Sequence, residues 1–100
     1  MDKSAIINAV TGYFGVKVTD LLSRRRQKSI ALPRQIGMWL ARNHTRYSLQ
    51  EIGGYFGGRD HTTVMHAVKT IEAKRQRYSA LAEDLTRLEA QLNARESAAA

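Results

Sequence analysis

The chain has 100 residues, enough for one small domain and too few for a catalytic domain beside a binding domain. It contains no cysteine, which excludes a disulfide framework and a thiolate metal site, and it has no run of 18 apolar residues that would read as a membrane span. Its net charge is +7, and the excess is localised: residues 1–77 carry 14 Lys and Arg against 5 Asp and Glu, a net of +9, whereas residues 78–100 carry 2 against 4. A body this basic suits a polyanionic partner, of which nucleic acid is the commonest. The N-terminus "MDKSAIINAV" has no signal-peptide pattern, and with no cysteine to protect the chain reads as cytoplasmic and nucleoid-associated.

Helical spacing dominates and no stretch alternates with period two over a useful length, so the fold class is all-α. "SAIINAVTGYFG" places Ile6, Ile7, Val10 and Phe14 near one face, with Ser4 as N-cap and Gly15 as terminator. "VTDLLSRR" forms a short turn of helix capped by Thr19 or Asp20. "SRRRQKS" has no apolar anchor and is an exposed loop or frayed helix end. "LPRQIGMWLARNHT" is a helix with Pro33 in its first turn, where a missing N–H costs little. Ile36, Trp39 and Leu40 face the core, and Trp39 has packing rather than base-stacking spacing. "SLQE" at residues 48–51 is a capping box that opens a short helix. After "GGRD" comes a longer helix from about His61 to Arg77. Residues 79–95 are helical again, and "ESAAA" frays. The first unit is therefore 1–77, a helix-turn-helix domain, followed by a C-terminal helix and tail at 78–100.

The stretch "FGGRDHTTVMHA" at 56–67 carries the chemistry. It is no P-loop, because no lysine follows the glycines and no strand precedes them. His61 and His66 are five apart, off the i, i+4 spacing that puts two ligands on one helix face, and only His44 could join them, so no metal is expected. No nucleophile–base pair is present, so no enzyme activity and no cofactor are expected. The remaining reading is a helix start used for recognition. Asp60 caps it, and the free N–H groups beside His61, Thr62 and Thr63 favour phosphate. In a helix-turn-helix the first residues of the second helix reach base edges in the major groove. A threonine can bond a base edge or set its methyl against a thymine methyl, and a carboxylate can accept from cytosine N4. The run Arg24–Lys28, four cations in five residues, reads as an arm against phosphates with one arginine in a minor groove. Arg34, Arg42 and Arg46 extend the basic surface as phosphate contacts, with Gln35 able to join them.

From about Tyr13 to Ile71 the sequence resembles the C-terminal DNA-binding domain of the bacterial chromosomal replication initiator DnaA. The residues that carry the resemblance are "VTDLLSRRR", "PRQIGMWLAR", "SLQEIGGYFGGRDHTTVMHA" and "KTIE", the third being the most specific. The resemblance implies a Trp-repressor-like helix-turn-helix that binds duplex DnaA-box sequences. It implies that Asp60, His61 and Thr62 read bases in the major groove and that Arg26 enters the minor groove. Arg34, Gln35, Arg42, Thr63 and His66 match positions near the phosphates or base edges. Arg25, Lys28 and Arg59 complete the DNA-contacting set. The initiators carry an ATPase module ahead of this domain and this chain has none, so it is an excised domain or a free-standing relative. A free-standing chain would compete for boxes, regulate transcription or recruit a partner.

The tail raises one alternative. Ile71, Tyr78, Leu85 and Leu92 recur every seven residues, with Leu81 and Leu88 between them. In the initiator family the last helix packs back on the domain, and that is the expectation here. A homodimer or partner contact through residues 78–95 is the competing reading. On either one, removing residues 78–100 is expected to leave DNA binding in place unless dimerisation is essential.

Overall fold

The structure, a computed structural model, describes residues 2–99, with side chains for residues 2–96. Six helices follow in chain order: α1 Lys3–Phe14, α2 Val18–Leu21, α3 Lys28–His44, α4 Leu49–Tyr55, α5 His61–Arg77 and α6 Ser79–Ala99. The all-α class and the helix-turn-helix order, α4 then turn then α5, agree with the sequence reading.

Several boundaries differ from it for local reasons. Asp2, not Ser4, caps α1, accepting from the Ala5 N–H at 3.0 Å. A carboxylate there satisfies an orphan donor and also meets the positive end of the helix dipole. Gly15 ends α1 as expected, in the left-handed region at φ 66°. Thr19 and Asp20 lie inside α2, whose N-cap is Lys17 with no side-chain bond. The larger difference is α3. It begins at Lys28, five residues before Pro33, because the N–H groups of Ile30 and Ala31 both reach the Gln27 carbonyl, at 2.9 and 2.7 Å. The end of the basic run thus winds into the first turn of the helix. At Ser48 the capping box is complete: Glu51 N–H donates to Ser48 Oγ at 3.1 Å, and Ser48 N–H donates to Glu51 Oε1 at 3.0 Å. The tail does not fray at "ESAAA" within the described residues, since α6 runs helically to Ala99.

Helix α3 is the centre. It packs against α1, α2, α4 and α5, and α6 closes the far side against α1 and α5. Ile6, Val10, Leu21, Ile36, Leu40, Ile52, Phe56, Val64 and Ile71 meet in one core. Trp39 is 4% exposed and belongs to this core, with the Arg75 guanidinium 5.3 Å above its ring. The tail joins the same core through Leu81, Leu85, Leu88 and Leu92. Polar contacts hold it in place. The Tyr13 hydroxyl donates to Asp84 at 2.6 Å, His44 Nε2 lies 2.8 Å from Glu89, and Arg75 reaches the other Glu89 oxygen at 3.3 Å. Tyr78 breaks the seven-residue stripe. It sits at the α5–α6 junction in extended backbone, 52% exposed, so the stripe is shared by two helices rather than carried by one.

The tail therefore packs back on the body, and a partner would meet its polar outer face. Removing residues 78–100 would strip four leucines from the core, so that truncation tests folding before it tests partner binding. Among the described residues no helix is long and apolar enough to cross a membrane, and no three metal-ligating side chains come together.

Candidate nucleic-acid interface

The turn between α4 and α5 is built by close backbone approach. The N–H of Arg59 bonds to the Gly53 carbonyl at 2.9 Å, folding the turn back over the end of α4. A Cβ on Gly53 would lie 1.9 Å from the Arg59 carbonyl oxygen. Gly57 has φ 87°, and a Cβ there would lie 2.3 Å from the Leu22 carbonyl oxygen. Glycine at 57 thus answers both a left-handed backbone and a tight contact. That contact sets the turn against the base of the segment Leu22–Gln27, the basic loop.

Asp60 opens α5. Its Oδ1 accepts from the Thr63 N–H at 2.9 Å and from the Thr62 hydroxyl at 2.7 Å. These bonds, the Thr62 hydroxyl first and then the Thr63 amide, hold the carboxyl at about 2. Both end on Oδ1, and the Thr63 side chain adds a further hydrogen bond that lowers the carboxyl. The Thr62 hydroxyl donates its hydrogen bond to the Asp60 carboxylate and meets any further partner as an acceptor. Because the folded carboxyl titrates below its ordinary range, its contribution is fully present above about pH 4 and is lost as pH falls through about 2. We expect the stability difference between wild type and Asp60→Asn to be constant from pH 7 to about pH 4 and to change only below that. Urea unfolding at stepped pH checks this, and a difference that changed between pH 5 and 7 would contradict it.

Arg34 is placed differently from the surface role expected of it. It is 6% exposed, and its guanidinium is spent on the chain itself. Nε donates to the Leu21 carbonyl at 2.6 Å, one terminal nitrogen to the Arg25 carbonyl at 2.9 Å and the other to the Asp20 carbonyl at 3.1 Å. Arg59 repeats the device from the turn, donating to the Ser23 carbonyl at 2.6 Å and to the Phe56 carbonyl. Buried Arg34 and half-buried Arg59 thus clamp the basic loop, one from α3 and one from the turn. Burial pushes both guanidinium groups down from their usual range, and Arg59 is lowered further by the charges of Arg34 and Arg24. Both stay protonated, since arginine is not deprotonated in proteins.

A cleft of about 590 Å³ opens between the loop, α3 and the first turns of α5. Arg24, Arg26, Arg34 and Arg59 line it together with Gln35, Thr62, Thr63 and His66, and the apolar part of the lining is Ala31, Met38 and Ala67. Among the described residues no carboxylate lines it, so four like charges converge without a counter-ion. This brings together eight polar residues from three chain segments. Seven were singled out in the sequence, and Arg24 was left there without a role of its own inside the run. His61 and Asp60 stand exposed at the α5 start beside the cleft. Arg25, Lys28 and Arg42 are exposed but outside the lining, and Arg25 lies 3.9 Å from Asp20.

Comparison with known proteins gives a consistent result. The bacterial DnaA protein helix-turn-helix family matches residues 4–71. The chromosomal replication initiator protein DnaA of Caulobacter vibrioides (strain NA1000 / CB15N) is 54% identical over 83 residues, which is 83% of this chain and 17% of that protein. DnaA of Dechloromonas aromatica (strain RCB) is 51% identical over 80 residues, 80% of this chain and 17% of that protein. DnaA of Caulobacter sp. (strain K31) is 54% identical over 80 residues. The chain spans about one sixth of the length of these curated relatives. The match extends from α1 through the turn into α5, and on that ground the chain belongs to the bacterial DnaA helix-turn-helix family.

Proposed function

We propose that this domain binds duplex DNA at DnaA-box-like sites, in replication initiation or its regulation. The first residues of α5 enter the major groove, where Asp60, His61 and Thr62 meet base edges, and Arg26 of the basic loop enters the adjacent minor groove. The observation that carries this reading is the clamp: Arg34 ties the basic loop to α3 and Arg59 ties it to the turn of the helix-turn-helix, so two groups of readers project together around one carboxylate-free cleft. Phosphates running past that cleft would supply the missing counter-charge, through Arg24, Thr63 and His66, while Arg42 and Lys28 add contacts further out. Such binding would place the chain on the nucleoid.

The test is a titration against a labelled box duplex and a scrambled duplex at two salt concentrations. Arg26→Ala and His61→Ala should each weaken box binding by about 1–3 kcal/mol and change scrambled binding much less. Arg42→Ala should weaken both alike and reduce the salt slope by about one. Equal losses on both duplexes for all three variants would contradict sequence readout.

A further inference from the structure

The outer face of α5 carries one apolar side chain that neither the clamp nor the cleft uses. With 3.6 residues per turn, Thr62, Met65, His66 and Lys69 fall within an arc of roughly 100°. The buried stripe Val64, Ala67 and Ile71 lies on the opposite side. All four residues of the arc are exposed. Three are polar, and the fourth is Met65, 39% exposed, one turn beyond Thr62. Among the described residues the other exposed large apolar side chains are Val18 and Tyr78, and neither lies on this arc. A single exposed apolar residue is ordinary on a protein surface. Here it stands along the axis between the helix start and Lys69, at the edge of this arc that lies away from the cleft.

We propose that Met65 is a specificity-determining residue that reads the 5-methyl group of thymine. This rests on the duplex-DNA reading above and adds a base preference to it. In the major groove thymine alone among the four bases presents an apolar group, and an apolar side chain against it discriminates through burial. Methionine suits the task because it is unbranched and shapes itself to a neighbouring surface. It sits about 4.5 Å along the axis from Thr62, a little more than one base-pair step, so the two side chains address neighbouring base pairs. The hydroxyl proton of Thr62 is already donated to Asp60, so on this ridge Thr62 accepts from an amino group while Met65 covers a methyl.

Deoxyuridine is the probe, since it differs from thymidine only by that methyl. Box duplexes carrying one thymine-to-deoxyuridine change at each position in turn are titrated with the full chain, its Met65→Ala variant and its Met65→Leu variant, after circular dichroism and melting show that the variants fold. Wild type should lose about three- to fivefold at one or two positions, the effect of one methyl buried. Met65→Ala should bind the thymine duplex weaker by the same factor and ignore deoxyuridine at those positions, while Met65→Leu keeps the discrimination. The proposal is overturned if Met65→Ala retains the deoxyuridine penalty. It is overturned equally if wild type shows no penalty anywhere yet still prefers the box to a scrambled duplex. Loss of the box preference itself would remove the parent reading together with this one.

Discussion

Gly53→Ala is expected to lower the melting temperature of this domain by roughly 15 °C, while the same change at the neighbouring glycine, Gly54→Ala, raises it by about 4 °C. The two positions share a helix and differ in what surrounds them. At Gly53 a methyl would meet the Arg59 carbonyl oxygen at 1.9 Å and the Arg59 carbonyl carbon at 2.9 Å. Those are backbone atoms of the turn, and they cannot swing aside as a side chain would. The turn has to move, and it carries the Arg59 N–H bond to Gly53 and the Asp60 cap with it. A displacement of that kind costs about 3 kcal/mol. At Gly54 a methyl meets nothing within 4 Å, and alanine is favoured over glycine in a helix by up to about 1 kcal/mol. Thermal unfolding of both variants decides the matter. A small, equal shift in both would mean that the turn has slack the close approach denies.

The second large effect is expected at Arg34. Arg34→Lys keeps the positive charge and removes the planar fork that bonds the carbonyls of Asp20, Leu21 and Arg25. Lysine cannot span three carbonyls on diverging lines, and buried carbonyls without donors are costly. The expected result is a loss of about 3 kcal/mol in stability, since hydrogen bonds to a charged group contribute about 1.5–3 kcal/mol each and lysine recovers some of them. DNA binding should fall at least about tenfold, because the loop must then be ordered at the moment of binding. Hydrogen exchange should rise across residues 21–26 in the free protein. If Arg34 acted instead as a surface phosphate ligand, lysine would largely replace it, the exchange pattern would not change, and only the salt dependence of binding would respond.

Much of the interface was legible in the sequence because it is written locally. The Ser48–Glu51 box, the Asp60 cap and the extent of α5 each depend on residues three or four apart, and a linear reading sees such relations directly. The start of α3 was harder, because proline is a familiar first-turn residue and its position six residues in depends on Gln27 accepting two bonds. The role of Arg34 was the furthest from view. Its partners lie 9 to 14 residues upstream, and an arginine between core positions shows no sign that loop carbonyls will turn to meet it. A hint was present: residues 33–41 are nearly all apolar apart from Arg34 and Gln35, so a charge placed there had to find partners inside the fold. Arg59 was named with the DNA-contacting residues, and its bond to Ser23, 36 positions away, follows only from the contact between turn and loop.

That contact makes the domain a caliper. Where two reading elements are joined by a flexible linker, each finds its own groove and the distance between their targets is loosely policed. Here the basic loop and the start of α5 are locked together by Arg34, by Arg59 and by the close approach of Gly57 to the Leu22 carbonyl, so, on the proposed reading, their separation and their angle about a duplex would be set before DNA arrives. One base pair more or fewer between the two target steps shifts one jaw by about 3.4 Å and rotates it by about a tenth of a turn. A locked pair cannot follow that shift. The site length would then be policed as strictly as the bases themselves, by a fold that touches none of the intervening pairs.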